Sequence, residues 1–123
     1  MDMDYITQKV IGCAIEVHKI LGPGLLESSY ESCLAYELCN IGLPIERQTL
    51  LPIIYKGNEI YAGYRLDILI PNKVIIELKS VDKIQPIHTA QLITYLKLSG
   101  IKTGLLINFN VQKLTSGIKR VSI

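Results

Sequence analysis

Residues 65–79 read Arg65-Leu66-Asp67-Ile68-Leu69-Ile70-Pro71-Asn72-Lys73-Val74-Ile75-Ile76-Glu77-Leu78-Lys79. Two runs rich in Leu, Ile and Val flank the turn-forming triplet Pro71-Asn72-Lys73, the pattern of a β-hairpin. With that triplet as the loop, Ile70 faces Val74 and, stepping back along both strands, Asp67 lies directly opposite Glu77. Opposed side chains of an antiparallel pair share a face, with Cβ atoms about 4.5–5.5 Å apart. Strand alternation puts Lys79 on the face of Glu77. A slip of one residue would send the two carboxylates to opposite faces; the sequence alone does not fix the register, and the chemistry of the pair discriminates.

Two carboxylates this close repel unless a cation or a proton lies between them. An oxygen-only site suits Mg²⁺ or Mn²⁺, which take one or two protein carboxylates and leave the other positions to water and phosphate. A metal there polarises a phosphoryl oxygen, and the Lys79 ammonium positions water or stabilises developing charge. Together these residues suit phosphodiester hydrolysis. The plainer alternative is a solvated cross-strand ion pair. Against it, the acids sit in apolar runs, where a charge without a task is expensive. Both readings stand at this point.

Working outward, residues 4–21 read as a helix, because Ile6, Val10, Ala14, Val17 and Leu21 fall at three- and four-residue steps. Gly22-Pro23-Gly24 ends it. A second helix is predicted over 25–40, closing at Asn40 to Gly42. Strands are predicted over 48–55 and 59–70, with a turn at Lys56-Gly57-Asn58, and then over 74–79. Pro86 suits the first position of a third helix that ends before Gly100. Residues 103–108 form a further strand, and 118–122 a short terminal one. The order α-α-β-β-β-α-β, with a crossover helix before the late strand, predicts an α/β fold: a mixed central β-sheet flanked by helices.

The chain has 123 residues, 49% of them hydrophobic and 20% charged, which suits one soluble globular domain spanning 1–123. Its mean hydropathy of +0.31 is high and points to a strand buried on both faces, or a partner surface, more than to a membrane. No apolar run approaches the roughly 20 residues of a spanning helix, and the acidic start Met1-Asp2-Met3-Asp4 does not resemble a secretory signal. Cys13, Cys33 and Cys39 form no CxxC pair and read as buried, reduced thiols of a cytosolic protein. A net charge of +2 and a pI near 8.4 permit nucleic-acid binding without requiring it.

Asp67, nine residues, then Glu77-Leu78-Lys79 resembles the D-x(n)-E-x-K core of the PD-(D/E)xK nuclease superfamily. Gly24-Leu25-Leu26-Glu27-Ser28-Ser29-Tyr30 is similar to the signature of the GxxExxY family within it. Gln91-Leu92-Ile93-Thr94-Tyr95 resembles the QxxxY helix of the RecB-like branch, and 104–110 resembles the family's late strand. The resemblance spans residues 11–120, with one departure: Leu66 stands where the superfamily's Pro would precede Asp67.

The resemblance implies a restriction-endonuclease-like fold and assigns roles. Asp67, Glu77, Lys79 and Gln91 would be catalytic, and Glu27 of the second helix would join Asp67 and Glu77 as a metal ligand. Tyr30 lies three residues on from Glu27 and Glu31 four, facing roughly one way; a core role for Tyr30, with its hydroxyl at the rim, is the alternative. Gln91 and Tyr95 would line the active site, with His88 a turn earlier, unless that helix face merely caps the sheet. His18 is a rim residue if it approaches Glu27 across the Gly-Pro-Gly turn. Arg65, sharing a face with Asp67, is a phosphate contact or carboxylate partner. The implied activity is a Mg²⁺- (or Mn²⁺-) dependent nuclease acting on nucleic acid, DNA before RNA, in the cytoplasm, away from membranes and with a homodimer in view. The competing class is a non-catalytic nucleic-acid-binding or protein-interaction module that keeps the nuclease fold.

Overall fold

A computed structural model describes residues 2–123. Helices α1 (Met3–Leu21) and α2 (Glu27–Asn40) are followed by strands β1 (Glu46–Leu50), β2 (Ile53–Tyr55), β3 (Asn58–Ile60), β4 (Arg65–Ile70) and β5 (Val74–Lys79). Helix α3 (Pro86–Ser99), β6 (Thr103–Asn108), a 3-10 turn (Leu114–Gly117) and β7 (Ile118–Ser122) complete the chain. The five-stranded sheet has the order β1-β4-β5-β6-β7. It is a mixed sheet: β5 and β6 run parallel and the other neighbours antiparallel. This is the expected α/β architecture, with α3 as the crossover between its two parallel strands.

The local chemistry explains the joints. Gly22 caps α1, its N–H donating to the His18 carbonyl. Pro86 occupies the first turn of α3, where a missing N–H breaks no intrahelical bond. In the β4–β5 loop Asn72 adopts φ 63°, a left-handed conformation that Asn tolerates better than most residues. The Lys73 N–H donates to the Ile70 carbonyl across it.

Two expected strands are each divided. The segment 48–55 breaks at Leu51-Pro52, and 59–70 breaks at Tyr61–Tyr64. Pro52 has no N–H for a ladder bond, and Gly63 takes φ 88° opposite it. The inner halves, β1 and β4, stay in the main sheet, whereas β2 and β3 pair as a separate two-stranded arm. Lys56 and Gly57 both have positive φ, as a two-residue hairpin turn requires.

Two apolar clusters cover the sheet. On one face Val10, Ala14, Tyr30 and Leu34 of α1 and α2 pack on Ile68, Ile76, Leu78, Leu105 and Ile107, with Phe109 between them. On the other, Leu92, Tyr95 and Leu96 of α3 pack on Leu66, Ile75 and Leu106. Strand β6 is buried along its whole length. At Gly104 a Cβ would come within 2.8 Å of Leu92, so glycine sets how closely α3 approaches β6. Among the described residues no helix is long and apolar enough to cross a membrane. The three cysteines are free; Cys13 and Cys33 are half-buried, but Cys39, expected inside, lies exposed near the end of α2.

Candidate active site

The β4–β5 ladder pairs Ile70 with Val74, Leu69 with Ile75 and Ile68 with Ile76, the expected register, and stops there. At the next step the acids bond across the gap. The Asp67 N–H donates to Glu77 Oε2 at 2.8 Å, and the Leu78 N–H donates to Asp67 Oδ2 at 2.9 Å. The β1–β4 ladder skips the same row, pairing Arg47 with Ile68 and Thr49 with Leu66 but not Gln48 with Asp67. Gln48 sits there at φ 50°. Leu66 packs on the α3 side and Ile68 on the α1–α2 side, although residues two apart on a regular strand share a face. The sheet therefore opens at Asp67, and the expectation that Arg65 follows Asp67 by simple alternation does not carry across this break.

The electrostatics follow from the burial. Glu77 is only 6% exposed. Burial pushes its carboxyl up to about 8, with the Asp67 charge adding to this and Glu31 contributing further; the Asp67 N–H and Lys79 pull the other way. Asp67 is raised for the same first reason, burial, with Glu31 adding to it, while the Leu78 N–H, Gln48 and Lys79 oppose. Gln48 ties the third acid in. Its Nε2 donates to Glu31 Oε1 at 2.6 Å and makes a longer contact, 3.4 Å, to Asp67 Oδ1. Arg47 holds the other Glu31 oxygen through Nε at 3.0 Å. The result is three acids around one opening, only Glu31 having an ion-pair partner among the described residues.

Among the described residues no three His, Cys, Asp or Glu side chains form a ready metal cage. The donor set nevertheless fits a hard divalent cation: Mg²⁺ is ordinarily held by one or two carboxylates, with water and substrate phosphate completing its shell. Asp67 and Glu77 are such a pair, and a cation between them would offset the Asp67 charge that, after burial, raises Glu77.

The other expected residues are placed as follows. Lys79 ends β5, half-buried, and makes no salt bridge among the described residues. Tyr95, 5% exposed, lies on α3 against Leu66 and Ile75, and burial followed by the Glu77 charge pushes its hydroxyl up to about 12. Gln91 and His88 line a cavity with Tyr95. His88 also serves the helix cap, its Nδ1 accepting the Gln85 N–H at 2.9 Å. Arg65 is exposed at the start of β4.

Three residues stand apart from this grouping. Tyr30 is not at a rim. It is fully buried, stacked on Phe109 at 4.4 Å, and its hydroxyl donates to the Gly22 carbonyl and accepts the Leu25 N–H. It is the core aromatic of the alternative reading, pinning the turn between α1 and α2. His18 does not reach toward Glu27 either; its Nε2 donates to the Val111 carbonyl at 2.7 Å. Glu27 is exposed in the first turn of α2 and shares no hydrogen bond with Asp67 or Glu77. The acid that α2 buries beside them is Glu31, one turn later and 7% exposed.

Glu31, Gln48 and Arg47 were therefore missed as site residues. Glu31 carried a signal, its i+4 spacing from Glu27 on one helical face. Gln48 carried none.

A mixed sheet with helices on both faces and an acid pair at the opening of its central strands is an α/β nuclease fold. The chain belongs to the PD-(D/E)XK nuclease superfamily, whose family model matches residues 4–121. No curated protein and no solved structure matches it.

Proposed function

We propose that the chain is a metal-dependent nuclease that hydrolyses phosphodiester bonds of nucleic acid, DNA in the first place, with Asp67 and Glu77 holding Mg²⁺ or Mn²⁺. The observation that carries this reading is the buried Asp67–Glu77 pair, cross-bonded at the point where the sheet opens, with Lys79 beside it free of any ion pair among the described residues. Bound there, a divalent cation polarises a phosphoryl oxygen and makes water a stronger nucleophile. Lys79 orients that water or stabilises charge building on the phosphate. Gln48 and Arg47 hold Glu31, the third acid, facing the pair. Glu27, one turn nearer solvent, contributes through water. Gln91, Tyr95, His88 and Arg65 form the side on which substrate lies.

We take residues 1–123 as one domain, because both helical layers pack on the same sheet. The segments 24–30 and 91–95 support a position near the GxxExxY family and the RecB-like branch. A homodimer, one copy per strand of a duplex, is checked by light scattering.

Calorimetric titration with Mn²⁺ tests the site: wild type binds, and Glu77→Ala loses binding. Undiminished binding by that variant shows the site to be elsewhere. Plasmid nicking in Mn²⁺ then tests turnover beside Asp67→Ala. One observation favours a second reading. Both acids already satisfy backbone N–H groups, a structural task that a non-catalytic module keeping this fold would also need. Mn²⁺ binding without nicking that depends on Asp67 decides for that module.

A further inference from the structure

Beside the acid pair, between the β2–β3 arm and α3, lies a cavity of about 510 Å³. We infer that it receives an unpaired nucleobase of the substrate strand, so that the chain acts on single-stranded or frayed nucleic acid in preference to closed duplex. This inference rests on the nuclease reading and names its substrate class.

The size falls within the roughly 300–1,000 Å³ of pockets that hold small-molecule ligands. Its walls are apolar and aromatic, formed by Ile53, Leu98, Tyr64 and Tyr95. The two tyrosine rings meet edge-on, with centroids 6.2 Å apart at 66°. Tyr95 is buried, whereas Tyr64 keeps 40% of its surface exposed, so a ring face remains open for stacking. Its backbone is fixed, the carbonyl accepting the Leu51 N–H at 2.9 Å. Gln91 and His88 add polar groups to this apolar lining, which is how such sites orient a base edge.

Two features select a base over other occupants. No Lys or Arg lines the cavity, so it does not take the phosphate itself. It also lies near the acids: Tyr64 stands three residues before Asp67, and Tyr95 shares a cluster with Leu66, next to Asp67, and Ile75, two residues before Glu77, close enough for both acid charges to act on its hydroxyl. A phosphate held at the acids carries its own base toward this cavity. A paired and stacked base cannot enter unless it is first unstacked.

The test is fluorescence anisotropy with a labelled single-stranded dodecamer and its blunt duplex, in Ca²⁺, using wild type, Tyr64→Ala and Tyr64→Phe. Wild type is expected to bind the single strand at least about tenfold more tightly. Tyr64→Ala should weaken that binding about 5- to 100-fold, the range for loss of one base–aromatic stack, and Tyr64→Phe should restore it. A single abasic position in the strand should reproduce the loss in wild type. Equal affinity for single strand and duplex, or unchanged binding by Tyr64→Ala, overturns the inference. So does a wild-type dimer that Tyr64→Ala dissociates, since a second copy would then fill the cavity. Nicking that depends on Asp67, measured in parallel, keeps the two readings apart. If it persists without single-strand preference, only the base site fails; if it is absent while Tyr64-dependent binding holds, only the nuclease assignment fails.

Discussion

Glu77 shows most directly how burial sets the behaviour of a single residue. Its carboxyl is held near 8 in the folded chain against an ordinary value of 4.5. Between those values the folded state holds a proton that the unfolded chain has lost, so the contribution to stability is full below about pH 4.5 and disappears as pH rises to about 8. In EDTA, thermal melts should therefore shift down between pH 5.5 and pH 8.5, by at least about 5 °C given the few degrees per kcal/mol usual at this size. Glu77→Gln, which cannot ionise, should flatten that slope; an unchanged slope in the variant removes Glu77 as its origin. At the same scale, Glu31→Gln is expected to weaken Mn²⁺ binding more than Glu27→Gln, because Glu31 alone is buried with the pair. Equal effects in calorimetry would return Glu27 to the inner position. Sequence could not separate these two acids. They share a helical face, and only the way α2 packs on the sheet decides which one is covered. The left-handed Gln48 was equally hidden, since nothing in a Gln within a strand-like run announces a positive φ.

Among the elements, the β4–β5 hairpin was the most legible and the β1–β4 segment the least. A three-residue loop with Asn at its left-handed position leaves one register that buries Ile68, Ile70, Val74 and Ile76 together, so pairing followed from pattern. Two long strands were expected on either side of Lys56-Gly57, whereas Pro52 and Gly63 split them into sheet and arm. Those residues were visible breakers, but local chemistry alone does not say whether a broken strand bends or ends. The α1–α2 joint depends on Tyr30, which satisfies the Gly22 carbonyl and the Leu25 N–H at once. Tyr30→Phe removes both bonds in a buried place and should cost about 1–3 kcal/mol, read as a lower urea midpoint with Mn²⁺ binding unchanged. Lost Mn²⁺ binding in a folded Tyr30→Phe protein would mean that the tyrosine does more than hold the joint.

For the molecule as a whole, the sheet separates two cores of different make-up. One is thick, with two helices and the Tyr30–Phe109 stack; the other is thin, with α3 seated directly on Gly104. Gly104→Val should lift α3 and overpack Leu92, costing about 1–3 kcal/mol, whereas Phe109→Ala should cost about 3–5 kcal/mol by opening a cavity. Denaturant melts of the two variants give that ranking, and a reversed order would show that α3 cannot yield to a side chain at position 104. The late strand 103–108 and the layered arrangement followed from the sequence because β6 is apolar throughout and preceded by a crossover helix. The opening of the sheet at Asp67 did not, because it depends on carboxylates taking backbone N–H groups that a regular ladder would have used.

That substitution turns the two amides into reporters. The N–H groups of Asp67 and Leu78 donate to side-chain oxygens whose charge changes with protonation and with any bound cation. Their amide resonances and hydrogen-exchange rates should therefore register occupancy of the acid pair from the backbone itself. In a spectrum of the intact chain, two peaks would follow an event at the centre of the sheet without a label, a substrate or a cleavage assay.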